Sequence, residues 1–207
     1  MVQDYIWGLK LIIMKKLFFL VSLSLFLLPL ANAQSDKTDA EKKARIAYMT
    51  PGDMHKWMAR TTGTWTADVN TYASAQAVPT TTTASSNYKM LYNGLYQVNE
   101  FKGTMNGLPY EGQSILAYDN GRKQFVNIVL DNSGSGIGYY TGTFDDKTQT
   151  LTLRGNQYDP LTQKDVPVRQ EIKFLNDDTQ TITFYGPGTN GQEFKTMDIK
   201  LTRNKER

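Results

Sequence analysis

Residues 91–131 read LYNGLYQVNEFKGTMNGLPYEGQSILAYDNGRKQFVNIVLD. Three Asn-Gly pairs punctuate this stretch: Asn93-Gly94, Asn106-Gly107 and Asn120-Gly121. Asn-Gly tolerates the positive φ that tight hairpins demand, so each pair reads as a turn between two strands. The segments between them are short and rich in aromatic and β-branched residues, which suit a pleated, half-buried surface.

The rhythm extends outward in both directions, from Gly63 to Arg203. Asp145-Asp146, Asp159-Pro160, Asp177-Asp178 and Pro187-Gly188 mark further turns. Strands are expected near 63–72, 80–92, 95–105, 108–119, 122–131, 136–145, 148–158, 166–175, 179–186 and 192–203. None of the connections has the length of a crossover helix, so the pairing should be antiparallel. The expected fold is therefore all-β, a roughly ten-stranded up-and-down barrel, with a two-sheet sandwich as the alternative.

One or two short helices should precede the barrel. Thr38 and Glu41 have the spacing of a capping box ahead of a helix at Ala40–Met49. A second helix is expected to start at Thr50 as N-cap, with Pro51 in the first position and Asp53 closing the box. Met54, Trp57 and Met58 then share one apolar face, suited to packing across a barrel end.

Further upstream, Lys15-Lys16 precede an apolar run from Leu17 to Leu28, followed by Ala31-Asn32-Ala33. A basic start, a short apolar core and a small-x-small site describe a secretory signal peptide. Met14 is a natural start for it, which would make 1–13 an upstream extension. The organisation read from the sequence is a signal peptide over 1–33, a linker and N-terminal helices over 34–62, and the barrel over 63–207. The product is expected to be periplasmic or secreted, with no stable membrane anchor after cleavage at Ala33-Gln34.

Of the formal net charge of +3, the leader carries most, leaving 20 basic against 19 acidic residues beyond Ala33. No basic stripe suits nucleic acid. With zero cysteines the chain offers no thiol catalysis, thiolate metal site or disulfide, so stability must come from an adequate core.

Gly63-Thr64-Trp65, after a short helix and at the start of the first strand, resembles the Gly-x-Trp signature of lipocalins. That resemblance implies that Trp65 closes the base of the barrel and that Arg203, near the end of the last strand, covers it. A second resemblance spans nearly the whole mature domain. It rests on Leu108-Pro109-Tyr110-Glu111-Gly112, Tyr118-Asp119-Asn120, Asp131 with the glycines of Ser133-Gly134-Ser135-Gly136, Gly142, Gly155, Asp159-Pro160, and Gly191-Gln192-Glu193-Phe194-Lys195 leading through Met197 to Arg203. These are similar to a bacterial family known only as a domain of unknown function with a lipocalin-like (calycin) fold. Asn127-Ile128-Val129-Leu130 departs from that pattern, which usually places a tryptophan just before the aspartate. The resemblance implies fold and export, and no activity.

The inventory of reactive side chains is thin. The one histidine, His55, lies on the polar side of the expected helix, as a surface or barrel-end residue, and Gly134-Ser135-Gly136 is not a G-x-S-x-G elbow, so a catalytic triad is not expected. No strand histidine is available as a haem ligand, and one His with no Cys is a poor start for zinc. Asp131-Asn132-Ser133-Gly134 has too few carboxylates for a calcium loop. No catalytic residue, metal site or cofactor is assigned, and the chain reads more as a binder than as an enzyme.

In the last strand Glu193, Lys195, Met197, Ile199, Leu201 and Arg203 share one parity. If that face is the lumen, Glu193 and Lys195 enter it beside the apolar residues and could orient a ligand head group, unless they form a pair at a solvated rim. Tyr118, Phe125, Tyr140 and Phe184 could supply aromatic wall. The leading expectation is an exported lipocalin-like barrel holding a small hydrophobic or amphiphilic ligand in its lumen. The alternatives are a small cofactor-independent hydrolase or isomerase using Glu193 or Glu111 as base, and a solidly packed envelope-interaction module.

Cleavage is directly measurable. Expressed with its leader in a secreting bacterium, the exported product should have a mass corresponding to a chain beginning at Gln34. Retention of the leader on the exported protein would instead identify an anchor.

Overall fold

The computed structural model describes residues 28–105, 107–188 and 191–205. The expected leader up to residue 27 and Asn106 of the second Asn-Gly pair lie outside the described residues. The chain divides into two units, up to Tyr48 and from Met49 onward. In the first, helix α1 spans Leu28–Met49, longer than the Ala40–Met49 segment expected from the Thr38 box. Among the described residues, no helix is long and apolar enough to cross a membrane.

The second unit begins with helix α2, Asp53–Ala59, and continues through ten strands. These are β1 Gly63–Thr71, β2 Thr80–Leu91, β3 Tyr96–Met105, β4 Leu108–Asp119, β5 Gln124–Asp131, β6 Gly138–Asp145, β7 Thr150–Asp159, β8 Lys164–Asn176, β9 Thr179–Pro187 and β10 Glu193–Arg203. Every neighbour in sequence is a neighbour in space, and β1 pairs with β10, so the sheet closes as an up-and-down antiparallel barrel rather than a sandwich. Closure leaves no edge strand with unpaired backbone groups.

The turns work by two mechanisms. At Asn93-Gly94 the positive φ expected of Asn-Gly is present, with φ of 59° and 88°. At Asn120-Gly121 it is not. There Lys123 takes the left-handed conformation, as Gln149 and Gln163 do in two later hairpins, each at φ 55°. In all three an aspartate four residues earlier accepts a backbone N–H two residues on. Asp119 Oδ1 takes Gly121 N at 2.8 Å, Asp145 Oδ1 takes Lys147 N at 2.8 Å, and Asp159 Oδ1 takes Leu161 N at 2.9 Å. At the first of these turns the Asp119 carboxylate thus supplies the bond expected from Asn120-Gly121 geometry, while Asp145 and Asp159 form turns where the sequence marks them. The N–H groups of Lys147 and Thr148 hold the Asp145 carboxyl below the usual carboxylate range.

Helix α2 starts later than expected. Gly52, not Thr50, is the N-cap, and its carbonyl accepts from the N–H groups of His55 and Lys56, both at 3.1 Å. His55 supplies the reciprocal bond: its Nδ1 accepts the Gly52 N–H at 3.0 Å. This puts the imidazole inside, only 2% exposed and edge-on to Tyr118, rather than on the polar side of the helix. The rest of the helix plugs the barrel. Trp57 lies against Phe125, Phe144 and Phe174, Met58 is fully buried beside it, and Met54 packs on the same cluster.

Arg203 locks this end. Its guanidinium lies 4.2 Å over the Trp65 ring, and Trp65 Nε1 donates to the Thr61 carbonyl at 2.7 Å. Arg203 also donates to the carbonyls of Thr62 at 2.7 Å and Asp177 at 3.1 Å, and to that of Arg60, joining the exit of α2 to the β8–β9 turn. Gly63, at φ 117°, lets the chain turn into β1 beneath that guanidinium. Trp65→Ala should cost about 3–5 kcal/mol of stability, as loss of a buried aromatic usually does. Urea unfolding followed by circular dichroism measures it; a loss below about 1 kcal/mol would mean the indole is not a structural keystone.

Burial of His55 disfavours its charged form and lowers its pKa. The unfolded chain then takes up the proton first, so His55 contributes stability that is complete above about pH 6.5 and lost as pH falls below it. His55→Gln keeps an acceptor for the Gly52 N–H without a titrating ring. The stability difference between wild type and His55→Gln should therefore shift against the wild type as pH falls from about 7 to 5. Parallel curves over that range would contradict this role.

Candidate functional site

The barrel interior has two halves. Toward the end closed by α2, inward residues are sealed: Phe125, Leu151, Leu153, Trp65 and Leu201 are at most 1% exposed. Toward the other end, inward Val69, Val129, Val168, Ile182, Phe184, Met197 and Ile199 all keep partial exposure. Strand alternation points these side chains inward in a sheet without an edge, so their accessible surface faces the lumen. The inner face is sealed at its base and partly exposed above.

Between the halves lies a belt of neutral polar side chains. Cross-strand register puts Asn99 opposite Ser114 and Asn127 opposite Leu116 on the inner face. Asn127 Nδ2 donates to Gln170 Oε1 across the lumen at 3.3 Å. Asn99 Oδ1 is buried and has no hydrogen-bond partner in the described structure. A buried amide oxygen without a donor costs roughly 1–3 kcal/mol, so this belt carries unsaturated hydrogen-bonding capacity in an otherwise apolar wall. Gln97, one layer lower, differs: its Nε2 donates to Thr61 Oγ1 at 3.0 Å and to the Met58 carbonyl, tying α2 to β3.

Above the belt the wall is built of aromatics laid over glycines. A Cβ at Gly155 would come within 2.7 Å of the Tyr140 ring, and one at Gly112 within 2.5 Å of the Phe101 ring. The missing side chains leave room for these rings against the wall. Tyr110 donates its hydroxyl to Asp131 Oδ2 at 3.0 Å, and its ring lies 5.5 Å from that of Phe101. Burial first, and then the Asp131 charge, pushes the hydroxyl pKa of both Tyr110 and Tyr140 up. Both rings therefore stay neutral, and their hydroxyls remain proton donors.

The residues singled out from the sequence separate into three groups. Tyr118, Phe125 and Tyr140 do point inward, but Tyr118 and Phe125 belong to the base, their tilted rings 4.9 Å apart, and only Tyr140 borders the open half. Phe184 lines the open half, opposite Met197 and Gln170. Glu193 and Lys195 are a correction: they lie on the outer wall. The β9–β10 register shifts between Lys195 and Met197, where Thr196 bulges and its carbonyl accepts the Tyr72 N–H at 2.9 Å. One extra residue reverses the parity, so Met197, Ile199 and Leu201 face in while Glu193 and Lys195 face out.

Outside, each of the two charges is engaged. Arg169 stacks 3.6 Å over the Tyr185 ring and holds both carboxylate oxygens of Glu193, with Nη2 to Oε2 at 2.7 Å; its other arm meets Glu171. The Arg169 hydrogen bonds hold the Glu193 carboxyl below its usual range. Glu193 also borders a groove of about 310 Å³ on the outer wall, with Arg154 and Arg169. Lys195 pairs with Asp198 at 2.6 Å and sits over the Tyr72 ring, and the Asp198 contact keeps its pKa up. Glu111, the other candidate base, pairs with Lys102 at 3.3 Å, and both side chains are exposed.

The signal missed in the sequence is parity. In β3, β4 and β5, Gln97, Asn99 and Asn127 face in while Val98, Ile115 and Ile128 sit on the outer face. Alternation separates the two faces but does not name the inner one.

A family profile described as "Protein of unknown function (DUF1579)" matches residues 50–203, and the chain belongs to that family. No curated protein matches the sequence. Two solved structures share the fold. The S-type phycobiliprotein lyase CPES from Guillardia theta is 12% identical with a TM-score of 0.51, over 74% of this chain and 94% of that one. Rv2717c from M. tuberculosis is 11% identical with a TM-score of 0.56, over 75% of this chain and 100% of that one. Both likenesses concern the barrel alone.

Proposed function

We propose that this family member is an exported carrier or sensor that binds one small amphiphile in the open half of its lumen. The body of the ligand is largely apolar, and it carries an uncharged hydrogen-bonding group, such as a carbonyl, amide or hydroxyl, at mid-length. The observation that carries this reading is Asn99 Oδ1, a buried acceptor without a partner in the polar belt that borders the apolar open half. Ser114 stands opposite it, and Asn127 and Gln170 pair with each other on the same inner face, so a ligand polar group has further partners within the belt. Orientation of an apolar ligand by a few polar groups is how such pockets gain specificity.

The partial exposure of inward Val69, Val129 and Ile199 argues against a solidly packed module. An enzyme built on Glu193 or Glu111 is disfavoured because both carboxylates lie outside in ion pairs. Export rests on the leader sequence, with Lys15-Lys16, the apolar run and Ala31-Asn32-Ala33 as its support.

The uncharged dye Nile red tests the lumen. Wild-type protein should bind it with a blue shift and enhanced emission. Val129→Trp, which fills the open half from its wall, should weaken binding by at least about tenfold with the circular dichroism spectrum and melting temperature kept. Unchanged dye binding by a folded Val129→Trp protein would place the site elsewhere.

A further inference from the structure

Asp131 is the one carboxylate on the inner wall below the rim, and among the described residues no cation pairs with it. Its place follows from the register: it lies opposite Gly112 on the inner face, at the open end of β5. Lys164, the first residue of β8, shares the inward parity but stands opposite Asp159; the next inward strand cation among the described residues is Arg203 at the closed base. Asp131 therefore has no compensating charge of its own.

Asp131 is held in place by neutral donors. Oδ1 accepts from the backbone N–H of Ser133 at 2.9 Å and from its hydroxyl, and Oδ2 accepts from Tyr110. A carboxylate has about four acceptor sites, so one on Oδ2 is still open. Around it stand three aromatic side chains. Phe101 and Tyr110 form a tilted pair, and Tyr140 lies over Gly138 and Gly155 close enough to Asp131 for the two to interact electrostatically. A carboxylate flanked by aromatic side chains can attract an organic cation, through charge pairing with the carboxylate and the quadrupoles of the neighbouring rings.

We infer that the lumen mouth is an ammonium site, in which Asp131 with Phe101, Tyr110 and Tyr140 receives the cationic head of an amphiphile whose body occupies the lumen. The inference rests on the lumen reading above and gives it a ligand class, an apolar amine or quaternary ammonium. It also reverses the preference for anions that an inward Lys195 would have produced. A carboxylate-headed ligand would face Asp131 with no cation to offset the repulsion, so fatty-acid-like molecules are selected against.

Competition against Nile red reads this directly, with dodecyltrimethylammonium, dodecanol and dodecanoate at matched ionic strength and below micelle-forming concentrations. The ammonium should displace the dye at roughly tenfold lower concentration than the carboxylate, with the alcohol between them. Asp131→Asn keeps an acceptor for the Ser133 N–H and should bring the ammonium and carboxylate midpoints together. Phe101→Leu, which leaves the carboxylate intact, should reduce the ammonium preference in part and serves if Asp131→Asn melts early. Equal displacement by the three chains, a preference for dodecanoate, or an ammonium preference that survives both substitutions overturns the ammonium site while leaving the lumen reading intact. Nile red binding that Val129→Trp does not weaken overturns the lumen reading itself, and the ammonium site with it.

Discussion

The contact between Arg203 and Trp65 joins the last strand to the first and both to the helix that plugs the barrel. Its guanidinium meets the indole face and spends its donors on carbonyls of Arg60, Thr62 and Asp177. Those carbonyls belong to the exit of α2 and the β8–β9 turn, where no strand or helix partner is in place to take them. One side chain thus satisfies backbone groups from two separate segments and covers the largest aromatic of the base. Without β1–β10 pairing the sheet would have two edges, and the inner face would have no defined interior.

Given that closure, the filling of the base decides what is left above it. Trp57, Met58, Phe125, Phe144, Phe174 and Leu151 occupy the lower lumen, and α2 can enter because Gly52 and His55 start it at the correct height. A burial this complete supplies the apolar area that a chain without disulfides needs. It also removes the base from consideration as a site. Stability and binding capacity are segregated along the barrel axis, with the amide belt of Asn99, Asn127 and Gln170 at the boundary.

Hydrogen bonding at the base is mixed. Gln97 and Thr61 find partners, so their polarity fixes the helix to the wall, while His55 Nε2 and Gln180 Oε1 are buried without one. At the belt Asn99 Oδ1 likewise has none, and at the mouth Asp131 keeps neutral donors with no cation among the described residues. What sets belt and mouth apart from the base is their place beside the partly exposed half of the inner face.

Strand positions were legible in the sequence because turns and alternation are local properties. Asn93-Gly94, Asp145-Asp146 and Asp159-Pro160 each mark a hairpin that forms, and Gly63-Thr64-Trp65 with Arg203 foreshadowed the closure. The face of each strand was not legible. Alternation in β3 is compatible with Val98 inside or with Asn99 inside, and only the closed register with Tyr88 and Ser114 selects the second. The facing of Glu193 and Lys195 was not legible for a related reason: the β9–β10 register shifts at Thr196, a feature of pairing that no single strand contains. Sequence by itself determined how many strands there are, where they turn and which residues lock the base, since these follow from backbone preference and short-range pairing. Tertiary structure alone decided which polar groups enter the lumen, because inside and outside acquire meaning only when the first and last strands meet.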